Sequence, residues 1–170
     1  MKPVDSHCHI DFEQFDEDRE EIIEECRNKL EFAVNSGSTI EHNKAALKLE
    51  KQHPEVIKAN IGLHPVYTEE FSSVDKVKQQ ISENNPVAIG EIGLDHYHVK
   101  DSETRNKQEE VFREMLETAE KLGKPVVIHS RDAERKAVNI IKEYNLPNVF
   151  LHCFNGSKKL AEHAATKECL

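Results

Sequence analysis

His7, His9, Glu91, His129 and His152 each close an apolar run of the kind that forms a β-strand. Imidazole nitrogen and carboxylate oxygen suit zinc, manganese or magnesium, and a glutamate set between two ligand groups can bridge a pair of ions. The chemistry such a set supports is hydrolysis by metal-activated water. In His7-Cys8-His9 the two-residue spacing turns both imidazoles to one face of a strand and Cys8 to the other. Glu91 follows Val87-Ala88-Ile89-Gly90. A carboxylate ending a buried strand is costly unless it is paired or bound to metal, so an ion pair with a core Arg or Lys is the plainer alternative. His129 follows Val126-Val127-Ile128 and His152 follows Val149-Phe150-Leu151. Either alone reads as a satisfied core histidine; together with Glu91 and the first histidine pair they read as a site.

Three further groups belong to the same rim if the strands are parallel. His64, in Gly62-Leu63-His64-Pro65, either faces substrate or caps a turn. Arg131 comes two residues after His129, and Lys158-Lys159 follow His152 across a short loop. Cations above metal ions are what a phosphodiester requires, because charge develops on its non-bridging oxygens; ordinary surface charge is the competing explanation. A second pair, His96 and His98, lies in a polar loop before Asp101-Ser102 and is expected outside the cluster.

The elements that must position these groups alternate, strand then helix, at roughly 25 to 30 residues per unit, the pattern of repeated βα units. Strands are expected at 3–9, 30–35, 56–62, 86–91, 125–129 and 148–152, and their short unbroken apolar runs suit parallel strands covered on both faces. Val111, Phe112, Met115, Leu116, Ala119 and Leu122 form a helical stripe that stops at Gly123. A second helix is expected over 132–144, and Ser38 with Glu41 forms a capping box ahead of a third. The expected fold class is α/β, a TIM-type barrel with about six of its eight βα units present. An open doubly wound sheet is the competitor, but ligands ending the first, fourth, fifth and sixth strands fit better around a barrel mouth.

The 170 residues contain no linker or low-complexity tract, so residues 1–170 are expected to form one domain. A net charge of -9 gives no general field for nucleic acid, and any polyanion must be held locally. The acidic residues over 13–25 read as the solvated face of a helix whose other face carries Ile22, Cys26 and Leu30. No apolar run approaches the ~20 residues of a membrane span, and Met1-Lys2-Pro3-Val4 does not open a signal peptide, so a cytoplasmic location is expected, with no membrane contact. Cys8, Cys26, Cys153 and Cys169 lack CxxC spacing and are expected as free thiols. Nothing calls for an obligatory protein partner.

Taken in order, 5-DSHCHIDF-12, 61-IGLHP-65, 89-IGEIGLD-95, 125-PVVIHSRDA-133 and 152-HCFNGS-157 resemble the successive motifs of the TatD family of metal-dependent deoxyribonucleases, within the amidohydrolase-like barrels. The resemblance runs from end to end of the chain. It implies a TIM-type barrel, two divalent ions and hydrolysis of phosphodiester bonds in DNA. By motif position, His7 and His9 would hold one ion, His129 and His152 the other, and Glu91 would bridge them; Glu91, His64 and Arg131 are the expected catalytic groups. One family ligand, an aspartate ending an eighth strand, has no counterpart here. On this reading the chain stops before strands seven and eight, and Asp95 and Asp132 stand too early in sequence to replace it. Two alternatives remain open, an amide or ester hydrolase such as an aminoacyl-tRNA deacylase, and a catalytically impaired metal-binding fragment.

Overall fold

The structure, a computed structural model, describes residues 1–165. Strands and helices alternate as β1 (Asp5–Cys8), α1 (Arg19–Lys29), β2 (Ala33–Ser36), α2 (Ile40–Gln52), β3 (Ile57–Ile61), α3 (Val74–Asn84), β4 (Ala88–Asp95), α4 (Ser102–Leu122), β5 (Val126–Arg131), α5 (Glu134–Ile141), β6 (Val149–Leu151) and α6 (Lys158–Ala165). The strands form one parallel sheet in chain order, β1 to β6. Parallel neighbours need a crossover, and here a helix supplies each one. The sheet is curled: the rings of His7 at one edge and His152 at the other stack with centroids 3.7 Å apart. Six parallel strands thus form a half-barrel of the TIM type, with all their carboxyl ends on one rim.

Apolar burial holds this arc in shape. Ile61, Ile89, Ile92 and Ile128 of the sheet pack with Val77 and Ile81 of α3 and with Phe112, Met115 and Leu116 of α4. A second cluster joins Ile10, Ala33, Val56 and Ile57 with Ile23 of α1, and Ile22 and Cys26 of that helix and Leu30 just after it pack on it, partly buried. The α4 stripe is buried through Ala119, but Leu122 is exposed, because Gly123 turns left-handed (φ 61°) and ends the helix there.

Several boundaries move. β4 does not stop at Glu91 but runs on to Asp95, buried throughout. Gly90, Glu91 and Gly93 interrupt the apolar run, and the strand absorbs the first two in a bulge: Gly90 and Glu91, between Ile89 and Ile92, face the single Val127 between Val126 and Ile128. Gly93 (φ 142°) lies so close to β5 that a Cβ would fall 2.0 Å from the His129 carbonyl oxygen. α2 is capped by Thr39, whose hydroxyl accepts from the His42 N–H, and not by Ser38, whose hydroxyl is taken by the His42 ring. α5 begins at Glu134 because Asp132 is left-handed (φ 55°) and cannot join it. Cys8, Cys26 and Cys153 are free thiols, while Cys169 lies outside the described residues. Among the described residues no helix is long and apolar enough to cross a membrane.

Candidate metal centre

The first histidine pair is assembled by β1 and β2. Asn35, fully buried, accepts from the N–H groups of Ile10 (2.6 Å) and Asp11 (3.3 Å), which fixes the chain just past His9. Ser36 then serves both rings. Its carbonyl faces Nδ1 of His9 at 2.9 Å, and its hydroxyl faces Nδ1 of His7 at 3.0 Å. A carbonyl only accepts, so the His9 hydrogen sits on Nδ1 and its Nε2 lone pair is free. The Nε2 atoms of His7 and His9 stand 3.1 Å apart.

Glu91 lies beneath them, only 2 % exposed. Its Oε2 is 3.3 Å from Nε2 of His7 and 3.9 Å from Nε2 of His9. Its Oε1 faces the other way, 3.1 Å from Nδ1 of His129 and 3.7 Å from Nε2 of His64. Burial alone would raise the Glu91 pKa, but His129 and His7 more than offset it and hold the carboxyl ionised, well below the usual carboxylate range.

His129 is clasped from both sides, because Nε2 meets Oδ2 of Asp95 at 2.8 Å. Burial lowers its pKa, yet the contacts with Glu91 and Asp95 prevail and leave it raised. Asp95 is the functional group that the sequence reading left without a role. Fully buried at the end of β4, it also accepts from the His98 N–H (2.6 Å) and meets the His98 ring (2.9 Å). Its pKa is about 2, since burial, which raises it, is outweighed by His98 and His129. The signal for Asp95 is alternation through Glu91, Gly93 and Asp95, hidden because a glycine-broken run does not read as one strand.

His64 behaves differently from a ligand. The Val66 N–H donates to its Nδ1 at 3.3 Å, so the neutral ring carries hydrogen on Nε2 and presents a donor to the cluster. Burial lowers its pKa to about 4, which keeps it neutral near pH 7. His152 stacks on His7 and lies on that side of the cluster, outside the two tight donor groups His7–His9–Glu91 and His64–Glu91–His129. Burial lowers the pKa of His9 and of His152. Arg131 does not reach the cluster; its guanidinium lies 3.8 Å from the Tyr97 ring centroid, at the exposed end of β5. Lys158 and Lys159 are exposed at the start of α6. His96 and His98 join neither donor group, though His98 touches the site through Asp95.

The donor set fits a divalent ion. Ligand atoms about 2.1 Å from a tetrahedral ion stand roughly 3.4 Å from one another, and the separations of His7, His9 and His129 from one another or from Glu91 run from 3.1 to 3.9 Å. Lone pairs and an ionised carboxylate converge in a buried place with few compensating cations, which is how a cation site is built.

Comparison with known proteins agrees in family. The family described as TatD related DNase matches residues 4–170. MJ1582 of Methanocaldococcus jannaschii, described as an uncharacterized metal-dependent hydrolase, is 36% identical over 95% of this chain and 63% of its own length. YabD of Bacillus subtilis, described in the same words, is 34% identical over 98% of this chain and 64% of its own. The crystal structure of YjjV, a TatD homolog from Escherichia coli, superposes with a TM-score of 0.85 at 29% identity, over 96% of this chain and 64% of that one. The chain therefore spans a little under two thirds of the length of these relatives.

Proposed function

This chain belongs to the family of TatD-related DNases, and from that premise we propose that it hydrolyses phosphodiester bonds of DNA with two divalent ions, zinc, manganese or magnesium. One observation carries the reading. The two oxygens of Glu91 face opposite ways, Oε2 toward His7 and His9 and Oε1 toward His129, so a single buried carboxylate can serve two cations at once. His152, stacked on His7, completes the ring of imidazoles.

Bound there, the ions would make water a nucleophile at neutral pH and neutralise the phosphoryl oxygens. The protein's own groups do the rest. Ser36 aims the His7 and His9 rings, and Asp95 aims His129. Neutral His64 offers its Nε2 hydrogen to a phosphoryl oxygen, a contact that strengthens as charge builds there. Arg131, held over Tyr97 at the rim, meets the backbone of the incoming strand. The donor set would act as well on an ester, so the experiment must separate the two chemistries.

The purified protein, stripped of metal and reconstituted, is offered a DNA oligonucleotide and an aminoacyl ester. Metal-dependent cleavage of the oligonucleotide, lost by at least ~10²-fold in Glu91→Gln, supports the reading. Turnover of the ester alone would replace it with carbonyl hydrolysis.

A further inference from the structure

Beside the donor cluster, on the side built by β1, β2 and β3, stands a run of rings that the hydrolytic chemistry does not use. Phe12 stacks on His9 with centroids 4.6 Å apart and planes 19° apart. His42 follows at 5.0 Å from Phe12, and Tyr67 at 6.0 Å from His42. Tyr67 returns to the cluster, 6.1 Å from His64. The rings thus run in a band from one functional histidine to another, and Phe12, His42 and Tyr67 are all partly exposed. They come from three separate segments: the loop after β1, the first turn of α2 and the loop after β3.

The band is also held in place. Ser38 is buried and its hydroxyl meets Nδ1 of His42 at 2.6 Å, so the ring cannot rotate freely. Thr39 fixes the same residue's backbone through the His42 N–H. The Tyr67 N–H donates to the His64 carbonyl at 3.1 Å, tying that ring's loop to the cluster. A partly exposed aromatic surface costs solvation unless a ligand covers it, and preorganised rings lose little entropy when one does.

We propose that Phe12, His42 and Tyr67 form a stacking shelf for the nucleobases next to the scissile phosphate; this rests on the reading of the cluster as a phosphodiesterase site. A phosphodiester alone would have no use for such a surface. Bases do, since every base has a π-face, and stacking holds a strand without reading its sequence. The bases taken by the shelf must be free of their duplex neighbours, so the occupant is an unpaired strand. The ring contacts of Phe12 with His9 and of Tyr67 with His64 keep both ends of the shelf against the donor cluster, so the bases it takes are those next to the scissile phosphate.

The test uses the whole 170-residue protein in calcium, with two probes of equal length: a short single strand carrying 2-aminopurine, whose fluorescence is quenched by stacking, and the same backbone without bases. The base-bearing strand binds at least ~10-fold more tightly than the abasic one, with quenching on saturation. Tyr67→Ala narrows that gap about 5-fold or more, and Tyr67→Phe, which keeps the ring, preserves it. Equal affinity for both probes would overturn the shelf while leaving the phosphodiester reading intact, as would an unchanged gap in Tyr67→Ala. Binding of neither probe would overturn the phosphodiester reading itself, and the shelf with it.

Discussion

The two sides of Glu91 are built from similar residues and prepared in opposite ways. On the β1–β2 side, His9 is held by a carbonyl, carries its hydrogen on Nδ1 and has a lowered pKa, so its metal-facing nitrogen is open without further change. On the β4–β5 side, His129 is clasped between two carboxylates, Glu91 at Nδ1 and Asp95 at Nε2, which together outweigh burial and raise its pKa. One side orients its imidazoles with a neutral backbone carbonyl and a hydroxyl, and the other holds its imidazole between two anionic groups. Burial and the neighbouring His7 lower the His9 pKa although the Ser36 carbonyl raises it, whereas two carboxylates lift that of His129 against burial.

Asp95→Asn should produce the largest asymmetry. With an amide in place of the carboxylate, His129 keeps only a neutral, weaker acceptor at Nε2 and loses the Asp95 share of its raised pKa, while that of Glu91 remains. Metal affinity on that side should fall about 10–100-fold, while the His7–His9 side changes little. Competition against a fluorescent zinc chelator would measure both. Equal losses on the two sides would mean that the halves are not separately supported.

Acidity should divide the sides next. A raised pKa keeps His129 protonated to higher pH, and an ion must expel that proton; as pH falls through this pKa, affinity on the β4–β5 side weakens and protons are released on binding. His9, with its pKa lowered, stays neutral further into acid, and Glu91 stays ionised throughout. Binding on the β4–β5 side should thus carry the steeper pH dependence, seen by calorimetry in buffers of different ionisation enthalpy. Identical proton release at both would undo the comparison.

Two smaller effects sharpen it. Ser36→Ala removes the hydroxyl from His7 but keeps the carbonyl on His9, so the β1–β2 side should weaken only by several-fold, consistent with one hydrogen bond of about 1 kcal/mol. Arg131→Ala should raise KM for DNA and leave metal binding alone, since the guanidinium sits on Tyr97 away from the donors. A change in metal stoichiometry would place Arg131 nearer the cluster than the geometry does.

Much of this arrangement was legible in sequence where a local pattern reports a local fact. Short apolar runs ending in His129 and His152 marked β5 and β6 to within a few residues, and the two-residue spacing of His7 and His9 put both rings on one face. What stayed hidden depends on contacts between distant segments. Asp95 became part of the site only because β4 continues through a bulge and Gly93, and Phe12, His42 and Tyr67 met only when two loops and the first turn of α2 were brought side by side. The grouping of His152 with His129 rested on family motif position; the fold sets its ring against His7 across the mouth of the arc.

The central claim is that one carboxylate couples two cation positions. Titration of metal-free protein with Mn²⁺, followed by calorimetry in the parent chain and in Glu91→Gln, tests it most directly. The account predicts that the single substitution weakens every manganese-binding event seen in the parent, because the amide cannot offer two anionic oxygens to opposite sides. Undiminished manganese binding by Glu91→Gln would contradict it, and the histidines would then hold their ions without the glutamate between them.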